Sequence, residues 1–185
     1  MPVTQIAYRF RGLLMSPPYI IGMFCSAYET KMPWLSWPLG ISIFLLGVML
    51  RIWAQEHLHY RQKIKRILTT TGPYALTRNP IYWGNMFMCL GAIITSKLLW
   101  FAPIAVLYSF GLYSLVVHSE EENLLRKYGE PYQRYMSEVP RWLPRTMRFG
   151  NLDLINQYLL TAVRSEIHCL LALIPFILKE FVVIF

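Results

Sequence analysis

From His118 the chain reads HSEEENLLRKYGEPYQRY, and Glu120, Glu121 and Glu122 stand side by side just after a long apolar run. They are three of only ten acidic residues in a chain of formal net charge +8. Such a triplet either holds something cationic or opens a solvated helix. On a helix successive residues are about 100° apart, so at most two of the three can point into one pocket. Upstream, LTTTGPYALTRNPIYWG supplies Tyr74, Arg78, Asn79 and Tyr82. Asn79 precedes Pro80 and is therefore biased away from helix, so it is the expected cap of a helix that Pro80 begins. Gly84 would let another backbone or a ligand approach closely. Downstream, Gly129 is the expected helix stop and Pro131 the start of a short second helix. On that second helix Tyr132 and Tyr135 share a face at i, i+3. Arg141 then follows Pro140 in RWLPR. Read as structure alone, this second segment is an amphipathic tail on a membrane surface, its aromatics at headgroup level.

The elements that must position these groups are apolar. Of 185 residues 55% are hydrophobic and only 15% charged, and the mean hydropathy is +0.36. A soluble domain carries about 25% charged residues, so the composition is that of an integral membrane protein. Four or five candidate spans are expected, at residues 12–28, 34–54, 81–95, 98–117 and 167–185. The first is the weakest because of Pro17 and Pro18, and the last carries Lys179 and Glu180, so it either spans or lies along the interface. Only Ser96 and Lys97 separate the third and fourth, which predicts a tight antiparallel hairpin. With the N-terminus inside, Lys31, Lys97 and Lys179 fall outside and the other fifteen of the eighteen basic residues fall inside. The positive-inside rule therefore makes residues 55–80 and 118–166 the cytoplasmic segments. The hairpin brings Arg78, Asn79 and Tyr82 into the neighbourhood of the three glutamates.

Other features carry less. The loop HYRQKIKRI suits anionic headgroups, and Arg51 at the end of the second span can snorkel to the interface. Cys25, Cys89 and Cys169 lie in or beside apolar stretches without metal-like spacing, His57 and His59 form only an HxH pair, and no metal site is expected. Neither a cleavable signal peptide nor a nucleic-acid partner is expected.

Taken together, LTTTGPYALTRNPIYWG, the hairpin, and EEENLLRKYGEPYQRYMSEVPRWLP resemble the isoprenylcysteine carboxyl methyltransferase and phospholipid methyltransferase superfamily. The likeness covers residues 68–144, with several motif elements in order and at matching spacing; the first two spans and the tail carry none. It implies an all-α membrane bundle of about five spans, with a cytosolic C-terminal helical segment closing a pocket for S-adenosylmethionine. The acceptor would be lipophilic or prenylated. It divides one membrane domain into N-terminal spans with a basic loop (1–66), a methyltransferase core (67–145) and C-terminal helices (146–185). By motif position Glu121, with Glu120 second, would meet the cofactor's cationic and hydroxyl groups, since ionised acceptors make the stronger hydrogen bonds. Tyr74, Asn79, Tyr82, Tyr132 and Tyr135 would complete the cofactor site, aromatic faces attracting a sulfonium by about 0.5–2 kcal/mol. Arg78 and Arg141 would serve the reaction, holding the cofactor carboxylate or an acidic acceptor.

The chain departs from the family pattern in two places. Asn79 stands where R-H-P has histidine, and SLVVHS before the glutamates lacks the arginine of carboxyl-methylating members. Transfer to an isoprenylcysteine carboxylate is the leading expectation, with N-methylation of phosphatidylethanolamine as the alternative. Transfer to a small hydrophobic thiol or acid, a nicotinamide-dependent membrane reductase, and a non-enzymatic interaction protein are further readings.

Overall fold

The computed structural model describes residues 3–59, 67–143 and 158–183. Within them the chain is helical: α1 (Val3–Arg9), α2 (Arg11–Leu14), α3 (Ser16–Phe24), α4 (Pro33–Leu58), α5 (Pro80–Thr95), α6 (Ala102–Tyr128), α7 (Glu130–Glu138), α8 (Leu159–Leu171) and α9 (Ile174–Val183). A 3-10 turn at Gly72–Ala75 precedes α5. Several basic positions assigned to the inner side, among them Arg61, Lys63, Lys65, Arg66, Arg145 and Arg148, lie outside the described residues.

Three helical stretches are long and apolar enough to cross a membrane: Pro33–Leu58, Ala102–Tyr128 and Leu159–Lys179. The third is interrupted by a turn between α8 and α9. Helix α5 has 16 residues, about 24 Å at 1.5 Å per residue against a hydrocarbon core of about 30 Å. The first expected span is not one helix. Pro17 and Pro18 fall in the first turn of α3, where their missing N–H groups are harmless, and the helix restarts there. Ahead of it, α1 lies against α6, with Ala7 in one core beside Tyr113, Val116 and Val117.

The most extensive contact joins α4 to α5, and it is made by glycine. Gly40 and Gly47 face Gly91 and Gly84, respectively, across the antiparallel pair. A Cβ on Gly91 would come within 2.6 Å of the Gly40 carbonyl oxygen, and one on Gly47 within 2.6 Å of the Gly84 carbonyl. Small residues at such positions let membrane helices pack backbone to backbone. Around this seam Phe44, Val48, Met88 and Ala92 form a second core, to which Cys169, Leu173 and Phe176 bring the C-terminal helices.

The hairpin is present, with a six-residue connection from Ser96 to Phe101 and Lys97 in a left-handed conformation. At this end Glu29 bridges two lysines, Lys97 and Lys179, each at 2.9 Å. Lys179 also donates to the Gly22 carbonyl at 3.3 Å and to that of Cys25. That is how an apolar helix carries a buried ammonium. Burial by itself would raise the Glu29 carboxyl, but the two ammonium groups hold it below its ordinary value.

Gly91→Leu is expected to overpack the seam and cost at least about 1–3 kcal/mol, lowering Tm by about 2–4 °C per kcal/mol. Gly111, with open space around its Cβ position, should accept alanine within about 0.5 kcal/mol. Thermal unfolding of the two variants in the same detergent checks the contrast; equal losses would show that the seam is not the tight contact.

Candidate functional site

Three consecutive carbonyls dock residues 140–142 onto the start of α5. The Pro140 carbonyl accepts from the Arg78 backbone N–H at 3.0 Å. The Arg141 carbonyl accepts from the Thr77 hydroxyl and the Asn79 amide, both at 3.0 Å. The Trp142 carbonyl accepts from the Trp83 indole at 3.2 Å. Asn79 is thus the N-cap of α5 by position, as expected, but makes no side-chain cap bond; its amide reaches across to Arg141. Aromatic packing of Trp142 on Trp83 and Phe110 closes the junction.

Helix α6 continues without a break past the end of the apolar run, and its turn angle sends the three glutamates to three environments. Glu122 is exposed and pairs with His118 at 3.3 Å. Glu121 is buried and lies between two guanidiniums: Arg78 Nη1 at 2.9 Å and Arg141, whose Nε donates at 3.2 Å and whose Nη2 meets the second oxygen. Glu120 accepts from the Tyr82 hydroxyl at 2.7 Å, and the Tyr82 ring packs on Tyr113 with centroids 4.6 Å apart.

Glu120, Tyr82, Tyr74, Arg78 and Asn79 line one cavity of about 450 Å³, within the usual size of small-molecule sites. Five of the nine residues singled out from sequence are brought together there. Glu121, Tyr132, Tyr135 and Arg141 are not on its described wall; they form the layer behind it. The sequence ranked Glu121 ahead of Glu120, and it is Glu120 whose carboxylate faces the space. Tyr132 and Tyr135 pack together as the i, i+3 spacing requires, with centroids 5.9 Å apart, and Tyr135 donates to the Tyr74 carbonyl at 2.7 Å. Gly129, with φ of +60°, ends α6 and starts α7, a backbone conformation that favours glycine.

The phenols are donors and apolar faces, not bases. Burial, aided by Glu121, pushes Tyr132 up to about 12. Burial also raises Tyr74, assisted by Glu120, and Tyr135, assisted by Tyr74. The Nε of Arg78 is buried and has no hydrogen-bond partner among the described residues.

Sequence reasoning missed the opposite wall. Tyr8 and Arg11 reach the cavity from the N-terminal helices, Arg51 and Gln55 from α4, and Asn85 from α5. The Arg11 guanidinium stacks over the Tyr8 ring at 4.8 Å. No motif marks α1 or α2, but Arg51 gave a signal, since a charge within an apolar helix is unusual and α4 runs on past it to Leu58. Rather than snorkelling freely, Arg51 is held by Glu166 of α8 at 2.7 and 3.0 Å. Among the described residues no three His, Cys, Asp or Glu side chains gather as a metal site.

The chain is 31% identical over 117 residues to the cobalt-zinc-cadmium resistance protein CzcN of Cupriavidus metallidurans, covering 60% of this chain and 52% of that protein. It is 29% identical over 111 residues to the nickel-cobalt-cadmium resistance protein NccN of Alcaligenes xylosoxydans xylosoxydans, covering 60% and 49%. With the protein-S-isoprenylcysteine O-methyltransferase of Schizosaccharomyces pombe it shares 28% identity over 142 residues, covering 71% and 56%. The chain thus spans about half the length of these relatives. No solved structure matches it. The family model for phospholipid methyltransferase matches residues 35–131, from the glycine seam through all three glutamates to the start of α7, and the chain belongs to that family.

Proposed function

We propose that the protein is an integral membrane methyltransferase that uses S-adenosylmethionine to methylate a lipid-like acceptor, with an isoprenylcysteine carboxylate as the leading case. The observation that carries this reading is the half-buried Glu120 carboxylate, fixed by Tyr82 on the wall of a cavity that Arg78 also lines. A carboxylate for an ammonium and a guanidinium N–H for a carboxylate fit the amino-acid end of the cofactor. Tyr74 and Tyr82 offer the aromatic surface a sulfonium favours.

The bound cofactor would supply an electrophilic methyl group. The chain's own part is positioning. Glu120 orients the cationic end, and Arg78 the anionic one. Glu121 acts through Arg78 and Arg141, which it holds against the junction of α5 with residues 140–142. Holding two reactants in line supplies up to about 7–11 kcal/mol of a barrier. A carboxylate acceptor needs no base, in keeping with phenols held protonated by burial. Phosphatidylethanolamine as acceptor is favoured by the family match, and it would require its amine to lose a proton first. The site is read as facing the cytoplasm from a multi-pass bundle, in line with the basic residues at that end.

Glu120→Gln is expected to weaken S-adenosylmethionine binding at least about tenfold, as the loss of a charged hydrogen-bonding partner costs about 1.5–3 kcal/mol, while Glu122→Gln leaves it unchanged. Glu121→Gln should lower Tm even without the cofactor, because it strands two guanidiniums. Calorimetric titration and thermal unfolding of the three variants separate these roles; wild-type affinity in Glu120→Gln would remove that residue from the site.

Single cysteines at Lys31 and Glu122, both exposed, in a background without the native thiols, should label from opposite faces of sealed vesicles. Labelling from one face would refute the proposed topology.

A radiolabelled methyl-donor assay with a farnesylated cysteine and with phosphatidylethanolamine, each at two pH values, identifies the acceptor. Carboxylate methylation should vary little above neutrality, whereas amine methylation should rise with pH. Transfer to neither, despite tight cofactor binding, would exclude both acceptors.

A further inference from the structure

Arg51 and Glu166 form a bidentate ion pair whose two members are differently placed. The Glu166 side chain is 2% exposed and lines no described cavity, whereas Arg51 is 15% exposed and lines the same cavity as Glu120. The carboxylate is sealed behind the guanidinium. Arg51 gives Nε and Nη2 to Glu166, and Nη1 to the side-chain oxygen of Asn85, which also lines the cavity. A guanidinium has five N–H groups, so these three bonds leave donors on the Nη atoms. The helix seam is shaped around this side chain: a Cβ on Gly84 would fall 2.5 Å from Arg51 Cγ.

The cavity is therefore lined by charges of both signs, Glu120 together with Arg11, Arg51 and Arg78. Glu120 with Tyr82 presents the carboxylate, while Arg51 and Asn85, the latter one turn further along α5 than Tyr82, present N–H donors. We propose that Arg51 and Asn85 form an oxyanion subsite that selects methyl acceptors carrying a carboxylate or phosphate beside the atom to be methylated. The inference rests on the methyltransferase reading above and specifies its substrate class. An ionised oxygen is a stronger acceptor than an amide oxygen, so the acceptor takes over the Nη1 bond made by Asn85. Glu166 keeps the guanidinium plane fixed from behind. Arg78 is already assigned to the cofactor's carboxylate, and Arg141, turned to Glu121, is not on the described cavity wall.

Removing Arg51 alone would strand a buried carboxylate and endanger folding. Replacing both partners of a buried pair is tolerated far better than removing one, so the test uses Glu166→Gln and the double variant Arg51→Gln/Glu166→Gln. Full-length protein in nanodiscs of zwitterionic lipid is titrated with N-acetyl-S-farnesylcysteine and its methyl ester. A second arm uses a short-chain phosphatidic acid and the matching diacylglycerol, so carboxylate and phosphate selection are read separately. The wild type should bind at least one anionic probe about tenfold more tightly than its neutral counterpart. Glu166→Gln, which frees Arg51 from its counter-charge, should widen that preference, and the double variant should abolish it. A preference that survives in the double variant, or that shrinks in Glu166→Gln, would overturn the proposal and leave the pair as a tie between α4 and α8. S-adenosylmethionine is titrated into the same samples. Its failure to bind the wild type, with the anion preference intact, would sink the methyltransferase reading while leaving the subsite.

Discussion

The Glu121 carboxylate between Arg78 and Arg141 is the interaction on which the site depends. It joins the end of α6 to the start of α5, its hairpin neighbour, and to the segment after α7. A buried carboxylate with one guanidinium would leave lone pairs unmet. With two, the charge is over-compensated and the arrangement can tolerate burial. The three carbonyls of residues 140–142 then fall into register with donors on residues 77–83, and the back of the cavity is closed.

The glycine seam plays the corresponding part within the apolar bundle. Lipid is as apolar as leucine, so burial from water cannot drive these helices together, and close backbone contact must do so. That closeness has a second effect. It brings α4 near enough to α5 for the Arg51 stem to pass over Gly84 and for its head to reach Asn85. Packing and chemistry are thus set by the same few residues, and a change meant to alter one alters both.

The polar groups around the cavity are arranged in two layers. Facing the space are Glu120, Arg78, Arg51, Asn79 and Asn85. Behind them Glu121 and Glu166 neutralise and aim the guanidiniums, while Tyr135 fixes the backbone of Tyr74. Arg78 and Arg51, which face the cavity, each pair with a carboxylate that does not. This lets a membrane protein keep ionised groups at a fixed place without surrounding water.

Much of this was legible in the sequence. Composition and the length of the apolar runs point to the helical membrane class, because a crossing helix needs about 20 apolar residues whereas a barrel strand needs about 9–11. The short connection at Ser96 and Lys97 forces α5 and α6 to be neighbours, and so places Arg78, Asn79 and Tyr82 beside the glutamates. Gly129 and Pro131 mark the break between α6 and α7 by their own backbone limits. The sequence reading put Glu121 ahead of Glu120, whereas Glu120 lines the cavity, since three adjacent residues on one helix differ only by rotation. That rotation is fixed by where the guanidiniums lie, and Arg141 is brought there by hydrogen bonds distant in sequence. The N-terminal wall and the Arg51–Glu166 pair were likewise decided by tertiary structure alone. Their residues carry no shared spacing or motif, and they meet only because the helices pack.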